Sequence, residues 1–216
     1  MIAALCLSLA MAGLAAPAAS PSPTVRKASP AAPATPAVVD EGPQEAVVET
    51  SEGSFVLRLL PELAPRHVAH FVKTARQGGY DGTTFHRVVT RGIIQGGDPL
   101  SKDPAKKSLY GTGGLGLLKS EFSDRPMARG AVAAVLRPSN PHSAGNQFFI
   151  VLFDQPSLTG KFTIFGEVAS GWETIDAIGT TPVVGDKPEK RIVMQKVTIR
   201  KAEEVPAAAS PTPSPR

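Results

Sequence analysis

Cysteine is almost absent from the sequence, since Cys6 is the only one in 216 residues. If the amino-terminal segment that holds Cys6 is removed, the mature protein has no thiol, which excludes disulfides and thiolate catalysis. Charge is also sparse, because 19% of the residues are Asp, Glu, Lys or Arg, below the roughly 25% that is typical of soluble domains. A disulfide-stapled scaffold and a disordered polyelectrolyte are therefore both excluded.

The one long apolar run is too short for an ordinary membrane-spanning helix. Residues 2–16 are all apolar, small or Ser, whereas a spanning helix needs about 20 apolar residues. With small residues following at Ala16 to Ala19, the pattern predicts a secretory signal peptide over residues 1–19 and export to the periplasm or the extracellular space. No Lys or Arg precedes Arg26, so an uncleaved membrane tether is the alternative.

Proline is concentrated at the two ends of the chain. Eleven of the 21 prolines lie in residues 1–45 or 202–216. Segments rich in Pro, Ala, Ser and Thr cannot bury a core, which predicts a disordered linker over 20–45 and a disordered tail over 202–216. The 156 residues between them, 46–201, are enough for one globular domain that buries roughly 70% of its unfolded surface.

The predicted domain is mildly basic, with 20 Lys and Arg against 14 Asp and Glu in residues 46–201. Its basic residues come singly or in pairs, without interleaved aromatic residues. Nucleic-acid-binding domains instead cluster Lys and Arg on one face or along one helix. We therefore expect no nucleic-acid partner, and a monomer, because no additional apolar helix is present.

Short apolar stretches separated by turn residues predict a domain made mainly of strands. A hairpin is expected where a three-residue loop ending at Gly53 separates 46–50 from 54–60. Apolar residues at helical spacing after Pro65 predict an amphipathic helix ending at Gly78, and the pattern Ser170-x-x-Glu173 predicts the capping box of a second helix ending at Gly179. The other predicted strands are 85–89, 93–95, 131–136, 148–152, 162–168 and 192–199.

One arginine lies within an apolar stretch. A guanidinium there is costly unless it finds acceptors or faces a wet cleft, so Arg87 is a candidate cleft residue. Strict alternation puts Arg87 on the face of Phe85 and Val89, and a snorkelling arginine at a sheet edge is the alternative. His86 would lie on the opposite face, where a structural role is favoured over general-base catalysis.

Two other patterns suggest ligand chemistry but lack the residues that it needs. His67 and His70 could approach a metal, but no Cys, Asp or Glu follows either at i+4, so we interpret them as a surface pair. The glycine-rich residues 111–116 lack the Gly-Lys-Ser/Thr ending and the β-α-β context of a phosphate loop. We interpret this segment as a conformational loop.

Several motifs together resemble the cyclophilin family of peptidyl-prolyl cis-trans isomerases over residues 47–199. They are FHRVV from Phe85, IIQGGDP from Ile93, GTGG from Gly111, PHSAGNQFFI from Pro141 and GKFTIFGEV from Gly160. The resemblance implies an all-β fold, an eight-stranded antiparallel β-barrel capped by two α-helices. It further implies an isomerase of X-Pro bonds that assists protein folding, needs no cofactor or metal, and has proline-containing polypeptides as partners.

The resemblance also implies the site. Arg87, Gln95 and Phe149 would be catalytic, with Arg87 as a hydrogen-bond donor to the prolyl nitrogen. The substrate-binding residues would be Gly92, Ile93, Leu136, Arg137, Gln147, Leu158 and Phe162.

Some positions depart from the family pattern. Gly92 stands where a pocket aromatic is usual, which thins one wall and weakens proline binding. Leu136 replaces a small residue and narrows the groove, while Ser157 and Phe162 replace a Trp and a His of some eukaryotic members, so tight cyclosporin binding is not expected. The alternative function is therefore a proline-peptide-binding module or holdase chaperone with little isomerase activity.

Overall fold

The computed structural model describes residues 43–202. The predicted signal peptide lies outside the described residues, as do the predicted linker up to residue 42 and the predicted tail from residue 203. The first strand begins at Gln44, so the last two residues assigned to the linker belong to the strand. Within 43–202, neither α-helix combines the length and apolarity that crossing a membrane requires.

Eight strands close into an antiparallel barrel, which confirms the predicted fold. The described residues form β1 (Gln44–Thr50), β2 (Gly53–Leu59), α1 (Pro65–Arg76), β3 (Thr84–Val89), β4 (Ile93–Gly96), β5 (Ala131–Ala134), β6 (Phe148–Val151), β7 (Ile164–Ser170), α2 (Trp172–Gly179), β8 (Val183–Val184), β9 (Lys187–Pro188) and β10 (Ile192–Lys201). The barrel order is β1-β10-β3-β4-β6-β5-β7-β2, and β8 pairs with β9 in a separate hairpin. Three short 3₁₀ helices occupy Pro99–Lys102, Pro104–Leu109 and Pro156–Leu158.

Helix α1 begins where the sequence predicts, at Pro65, but its cap comes from elsewhere in the chain. Ala64 makes no side-chain cap. Instead, the carboxylate of Glu121 accepts hydrogen bonds from the backbone N–H groups of Arg66 (3.2 Å) and His67 (3.0 Å). These groups have no partner within the helix, and the positive end of the helix dipole favours a carboxylate there. Glu121 thereby fixes the first turn of α1 to the loop that follows the glycine-rich segment.

The interpretation of His67 and His70 as a surface pair is wrong for His67. Its ring is buried, and Nδ1 lies 2.6 Å from Oε2 of Glu121. His70, one turn further along, instead faces Asn146, with 2.7 Å between Nε2 and Oδ1. The two histidines therefore hold α1 to two different loops.

The predicted capping box of α2 is also wrong. Ser170 is the last residue of β7, and the N-cap is Gly171, which adopts a left-handed conformation with φ of +81°. A Cβ atom at Gly171 would lie 2.5 Å from the carbonyl oxygen of Ser54. Glycine is needed at this position both for its backbone conformation and for the close approach of β2.

A β-bulge in β3 changes which side chains face the core. The register against β4 shifts between Phe85 and Arg87, so Phe85 and Val88 are both buried in the barrel while Arg87 points outward. The prediction that Arg87 shares a face with Phe85 is therefore wrong, because an extra residue in one strand breaks the period of two. The bulge places the guanidinium on the outer surface of the sheet.

Alternate residues of β6 belong to two separate hydrophobic clusters. Phe148 and Ile150 face the barrel interior, where Phe148 meets the rings of Phe71, Tyr80 and Phe85 edge-on. Phe149 and Val151 belong to an outer cluster on the other side of the sheet. The strand therefore stabilises the core with one face and contributes to an outer apolar cluster with the other.

Two histidines with buried ring nitrogens should make stability depend on pH. Burial lowers the pKa of His67 and of His86 below the ordinary value of 6.5. Below that value the unfolded chain binds protons that the folded chain does not, so the free energy of unfolding falls as the pH falls. We expect a loss of up to roughly 1.4 kcal/mol per pH unit for each histidine below about pH 6.5, until the ring of the folded protein itself takes up a proton.

Urea denaturation at several values between about pH 7.5 and pH 5 measures this dependence, in a window above the titration of ordinary carboxylates. His86→Gln should reduce the slope, because one of the two titrating rings is removed. A free energy of unfolding that stays constant over this range would contradict the prediction.

Candidate active site

Four predicted pocket residues meet in the outer cluster. Ile93, Leu158 and Phe162 pack against its buried members, which include Phe149. The rings of Phe149 and Phe162 meet edge to face, with centroids 5.2 Å apart, a favoured aromatic geometry. Strand β4, strand β6, the 3₁₀ helix Pro156–Leu158 and the turn before β7 thus bring together residues up to 69 positions apart, from Ile93 to Phe162.

Leu136 lies elsewhere. Its side chain packs against the barrel-interior cluster, whereas the preceding residue, Val135, joins the outer cluster. Arg137 is exposed, and its Nη2 donates to the carbonyl oxygen of Leu115 at 3.2 Å. Its backbone N–H donates to Oγ of Ser143 at 2.7 Å. Arg137 therefore links two loops beside the pocket.

Cross-strand pairing sets the three predicted catalytic residues in a single line. Arg87 lies opposite Gln95 between β3 and β4, and Gln95 lies opposite Phe149 between β4 and β6. Neighbouring strands are about 4.8 Å apart. We call this line of Arg87, Gln95 and Phe149 the Arg87 row. It places a guanidinium, an amide and an aromatic ring next to one another at the edge of the outer cluster.

Hydrogen bonds continue the Arg87 row into the glycine-rich loop. Nη1 of Arg87 lies 3.4 Å from Oε1 of Gln95, and Nε2 of Gln95 donates to Oε1 of Gln147 at 3.0 Å. Gln147 then donates from Nε2 to the carbonyl oxygen of Gly113 at 2.7 Å. Both glutamines are buried, so their amides are held in one orientation by bonds that water does not compete for.

Asp98 explains the glycine-rich loop. Its fully buried carboxylate accepts hydrogen bonds from the backbone N–H groups of Leu100, Gly111 and Gly113. In a P-loop, backbone N–H groups of a glycine-rich loop bind a phosphate. In this loop, the corresponding N–H groups bind the carboxylate of Asp98 instead. A Cβ atom at Gly113 would overlap Oδ1 of Asp98, so glycine is required there. The loop has the conformational role that the sequence predicts.

Gly92 closes the turn between β3 and β4. Its N–H donates to the carbonyl oxygen of Val89 at 2.8 Å, and its own carbonyl accepts from Leu152 at 2.8 Å. The backbone next to Ile93 is thereby fixed at the edge of the pocket. Because Gly92 has no side chain, it adds no wall at this edge.

Asp186 is a site residue that the sequence did not reveal. It lies in the turn between β8 and β9, and its Oδ2 accepts from Nε of Arg87 at 2.7 Å. Its carbonyl oxygen also accepts from the N–H of Val88 at 2.8 Å, which ties the turn to β3. The hydrogen bond from Arg87 lowers the pKa of the Asp186 carboxyl below its ordinary value. A turn aspartate 99 positions from its partner gives no local signal of this pairing.

The site's chemistry is that of binding and orientation. The guanidinium of Arg87 is held from both sides, by Gln95 and by Asp186, while its side chain stays 42% exposed. A fixed donor of this kind stabilises a lone pair or a partial negative charge without reorganisation. The partly buried apolar side chains of Ile93, Leu158 and Phe162 beside it offer a surface for a compact hydrophobic ring.

Comparison with known proteins identifies the family. The sequence profile described as "Cyclophilin type peptidyl-prolyl cis-trans isomerase/CLD" matches residues 46–200. A probable peptidyl-prolyl cis-trans isomerase of Brucella suis is 40% identical over 137 residues, which cover 61% of this chain and 69% of that protein. The peptidyl-prolyl cis-trans isomerase-like 1 protein of Neurospora crassa is 36% identical over 166 residues, covering 76% of this chain and 98% of that protein.

Solved structures agree with the sequence relatives. A cyclophilin type peptidyl-prolyl cis-trans isomerase of Cryptosporidium parvum superposes with a TM-score of 0.67 at 26% identity, covering 75% of this chain and 100% of that one. A second crystal structure of that protein, in the presence of the dipeptide Ala-Pro, gives a TM-score of 0.66. The profile match, the relatives and the barrel agree, and the chain therefore belongs to the cyclophilin-type family of peptidyl-prolyl cis-trans isomerases.

Proposed function

We propose that this isomerase binds and twists X-Pro bonds at the Arg87 row, in client polypeptides that fold outside the cytoplasm of a bacterium. The observation that carries the proposal is the alignment of Arg87, Gln95 and Phe149 on three adjacent strands. The Cryptosporidium parvum protein was crystallised in the presence of Ala-Pro, which supports a proline-containing peptide as the ligand of the related pocket here.

The proposed mechanism uses hydrogen bonding alone. Amide resonance produces the barrier of roughly 18 to 20 kcal/mol to rotation about the prolyl bond. In the twisted state the nitrogen regains its lone pair, and Arg87 donates a hydrogen bond to it. Because the planar ground state offers no such acceptor, this bond stabilises the transition state selectively.

The neighbouring residues position the substrate in this proposal. The proline ring occupies the outer apolar pocket against Phe149 and Phe162. Gln95 orients Arg87 and the carbonyl of the reacting bond, while Gln147 and the backbone around Leu136 and Arg137 hold the peptide. Two buried, hydrogen-bonded glutamines keep these groups in place before substrate arrives.

Exchange spectroscopy on a proline peptide tests the proposal directly. Cis and trans signals of the peptide should exchange faster when the protein is added in substoichiometric amounts. Saturable binding with exchange at the uncatalysed rate would instead support a proline-peptide-binding module or holdase, the function that the open wall at Gly92 favours.

Export has its own test. The sequence of residues 1–19 supports a cleaved signal peptide, so we expect the mature chain in the native host to begin near Ser20 and to fractionate with soluble periplasmic or secreted proteins. A chain that keeps its first residues and sediments with membranes would establish the tether instead.

Filling the wall at Gly92 should improve substrate binding. Gly92→Phe adds an aromatic surface beside Ile93, and the φ of Gly92 lies outside the left-handed region. The new Cβ atom would lie 3.0 Å from Cγ1 of Val89, so that side chain must shift slightly. We expect KM for a proline peptide to fall about threefold to tenfold, from partial burial of one ring.

Gly92→Ala is the matched control for this experiment. It introduces the same contact with Val89 without adding an aromatic wall, and KM should stay close to that of the unmodified protein. A Gly92→Phe variant whose KM matches that of Gly92→Ala would show that this position is not a wall of the proline pocket.

Removing Asp186 should slow turnover by releasing one side of Arg87. In Asp186→Ala the guanidinium keeps only its 3.4 Å contact with Gln95, so its donor is less often aligned. We expect kcat to fall roughly tenfold, with KM and melting temperature little changed, because misplacement of a positioned group costs rate. The matched control is Asp176→Ala on α2, which removes a similar surface ion pair with Arg129 (2.8 Å). It should change neither kcat nor KM. A change in KM with kcat unaltered, or equal effects of Asp186→Ala and Asp176→Ala on kcat, would contradict a positioning role for Asp186.

A further inference from the structure

A second cavity, of about 380 Å³, opens next to the Arg87 row. Strand β3, the 3₁₀ helix Pro104–Leu109 and the β8–β9 hairpin form its walls. Arg87 takes part in both sites, because its Nη1 faces Gln95 and its Nε donates to Asp186, which lines the cavity. The volume is within the range of pockets that take a ligand or a side chain. We call this space the hairpin cavity.

Some charged groups of the hairpin cavity neutralise one another. Arg87 pairs with Asp186 at 2.7 Å, and Lys190 pairs with Glu52 at 2.8 Å. His86 also lines the cavity, and burial lowers its pKa, so its ring is neutral near pH 7. These groups leave no net charge.

The remaining charged groups are mainly positive. Lys107 and Lys187 line the cavity, and within residues 43–202 neither ammonium group forms a hydrogen bond or a salt bridge, although the charge of Lys187 also acts on Asp186. Arg191 donates only to backbone carbonyls, those of Gly82, Ser101 and Lys102, so its charge is not compensated. Among the described residues that line the cavity, Glu189 is the one carboxylate that forms no ion pair. Three cations against one anion attract a negatively charged group to the cavity mouth.

Apolar side chains also line the hairpin cavity. Phe85, Pro104, Tyr110 and Pro188 line the space, and the ring of Tyr110 stands edge-on to that of His86. An apolar lining under a cationic rim fits a side chain that has a hydrocarbon stem and a negatively charged end. Aspartate and glutamate are the protein side chains with that construction.

We propose that the hairpin cavity is a subsite for an acidic side chain of the client polypeptide. The inference rests on the proposed function, because it requires the prolyl bond to lie at the Arg87 row. An extended chain advances about 3.3 Å per residue, and the cavity shares Arg87 with the row, so the acidic residue lies only a few positions from the proline. The isomerase therefore prefers proline bonds in acidic segments.

Pairs of short peptides test this preference on the full-chain protein. Each peptide has one central proline and carries Glu at a single position before or after it, and its partner has Gln at that position. We expect kcat/KM for the Glu peptide to exceed that for the Gln peptide about fivefold, mainly because KM is lower. The preference should occur only at neighbouring positions on one side of the proline. About 0.5 M NaCl should remove most of the difference, because salt screens exposed charges.

Charge reversal assigns the preference to the cavity. Lys107→Glu/Lys187→Glu should bring the ratio of Glu to Gln peptide to one or below. Lys73→Glu/Lys196→Glu changes the net charge equally at two exposed lysines that do not line the cavity, and it should leave the ratio unchanged.

The outcomes separate this inference from the proposed function. Equal rates for Glu and Gln peptides at every position, or a preference that survives Lys107→Glu/Lys187→Glu, would overturn the acidic subsite while leaving the isomerase intact. Inorganic phosphate that competes equally with both peptides would show that the cavity takes a free anion, and would also overturn it. Absence of catalysis on the Gln peptides would overturn the proposed function itself.

Discussion

Arg87→Ala should lower kcat/KM for a proline peptide about 100-fold to 1000-fold, the largest change in activity that we expect from one substitution. The guanidinium is the donor of the proposed transition-state hydrogen bond, and it stands between Gln95 and Asp186 with a side chain that is 42% exposed. Alanine removes the donor and leaves the apolar pocket. The loss should therefore lie in kcat, with little change in peptide affinity.

Arg87→Lys separates the effect of charge from that of geometry. An ammonium group retains the positive charge but cannot hold Gln95 and Asp186 with a planar fork, so it should recover only a small part of the rate. Exchange spectroscopy measures both variants on the peptide used for the unmodified protein. Turnover of Arg87→Ala at the unmodified rate would show that Arg87 is not the donor, while equal stability of the three proteins would exclude unfolding as the cause.

Local patterns predicted the parts of the fold that depend on near neighbours. The period of α1, its start at Pro65 and its end before Gly78 follow from residues within two or three turns, and the helix lies at Pro65–Arg76. The motifs around Arg87 and Gln147 likewise carried enough information to indicate a family. Such features are encoded in contiguous residues, so a single sequence is sufficient to find them.

Features that depend on distant parts of the chain could not be found in this way. The β-bulge that turns Arg87 outward is defined by the pairing of β3 with β4, so residues of β3 alone do not reveal it. The burial of His67 requires the carboxylate of Glu121, 54 positions away. Gly171 replaces Ser170 as the cap of α2 because the backbone of β2 approaches it closely. Each of these is a tertiary contact that overrides a local preference.

The same limit applies to the active site. The family resemblance indicated the three members of the Arg87 row, whereas the structure adds supporting residues that lie outside the motifs. Asp186 holds Arg87 from one side, and Asp98 fixes the loop whose Gly113 carbonyl receives Gln147. Support of this kind determines how well catalytic groups are preorganised.

Asp98→Ala should cost about 3 to 5 kcal/mol in the free energy of unfolding, the largest change in stability that we expect. The carboxylate is fully buried and accepts from the N–H groups of Leu100 (2.8 Å), Gly111 and Gly113 (3.2 Å). Alanine leaves these donors without an acceptor in a space that is too crowded for a loop to readjust freely. Each unsatisfied buried donor costs about 1 to 3 kcal/mol, and partial access to water reduces the sum.

Asp103→Ala is the matched control, because Asp103 caps the next 3₁₀ helix by accepting from the N–H of Ala105 at 3.0 Å, and its side chain is 46% exposed. It should cost about 1 kcal/mol. Urea denaturation of both variants gives the comparison, and Asp98→Asn, which retains one acceptor oxygen, should fall between them. Equal effects of Asp98→Ala and Asp103→Ala would contradict the role assigned to the buried carboxylate.

The glycine-rich loop also positions Gln147 through the carbonyl oxygen of Gly113. Folded Asp98→Asn protein should therefore turn over a proline peptide more slowly. The loss in kcat/KM should follow the loss of order in this loop, because Arg87 itself is unchanged.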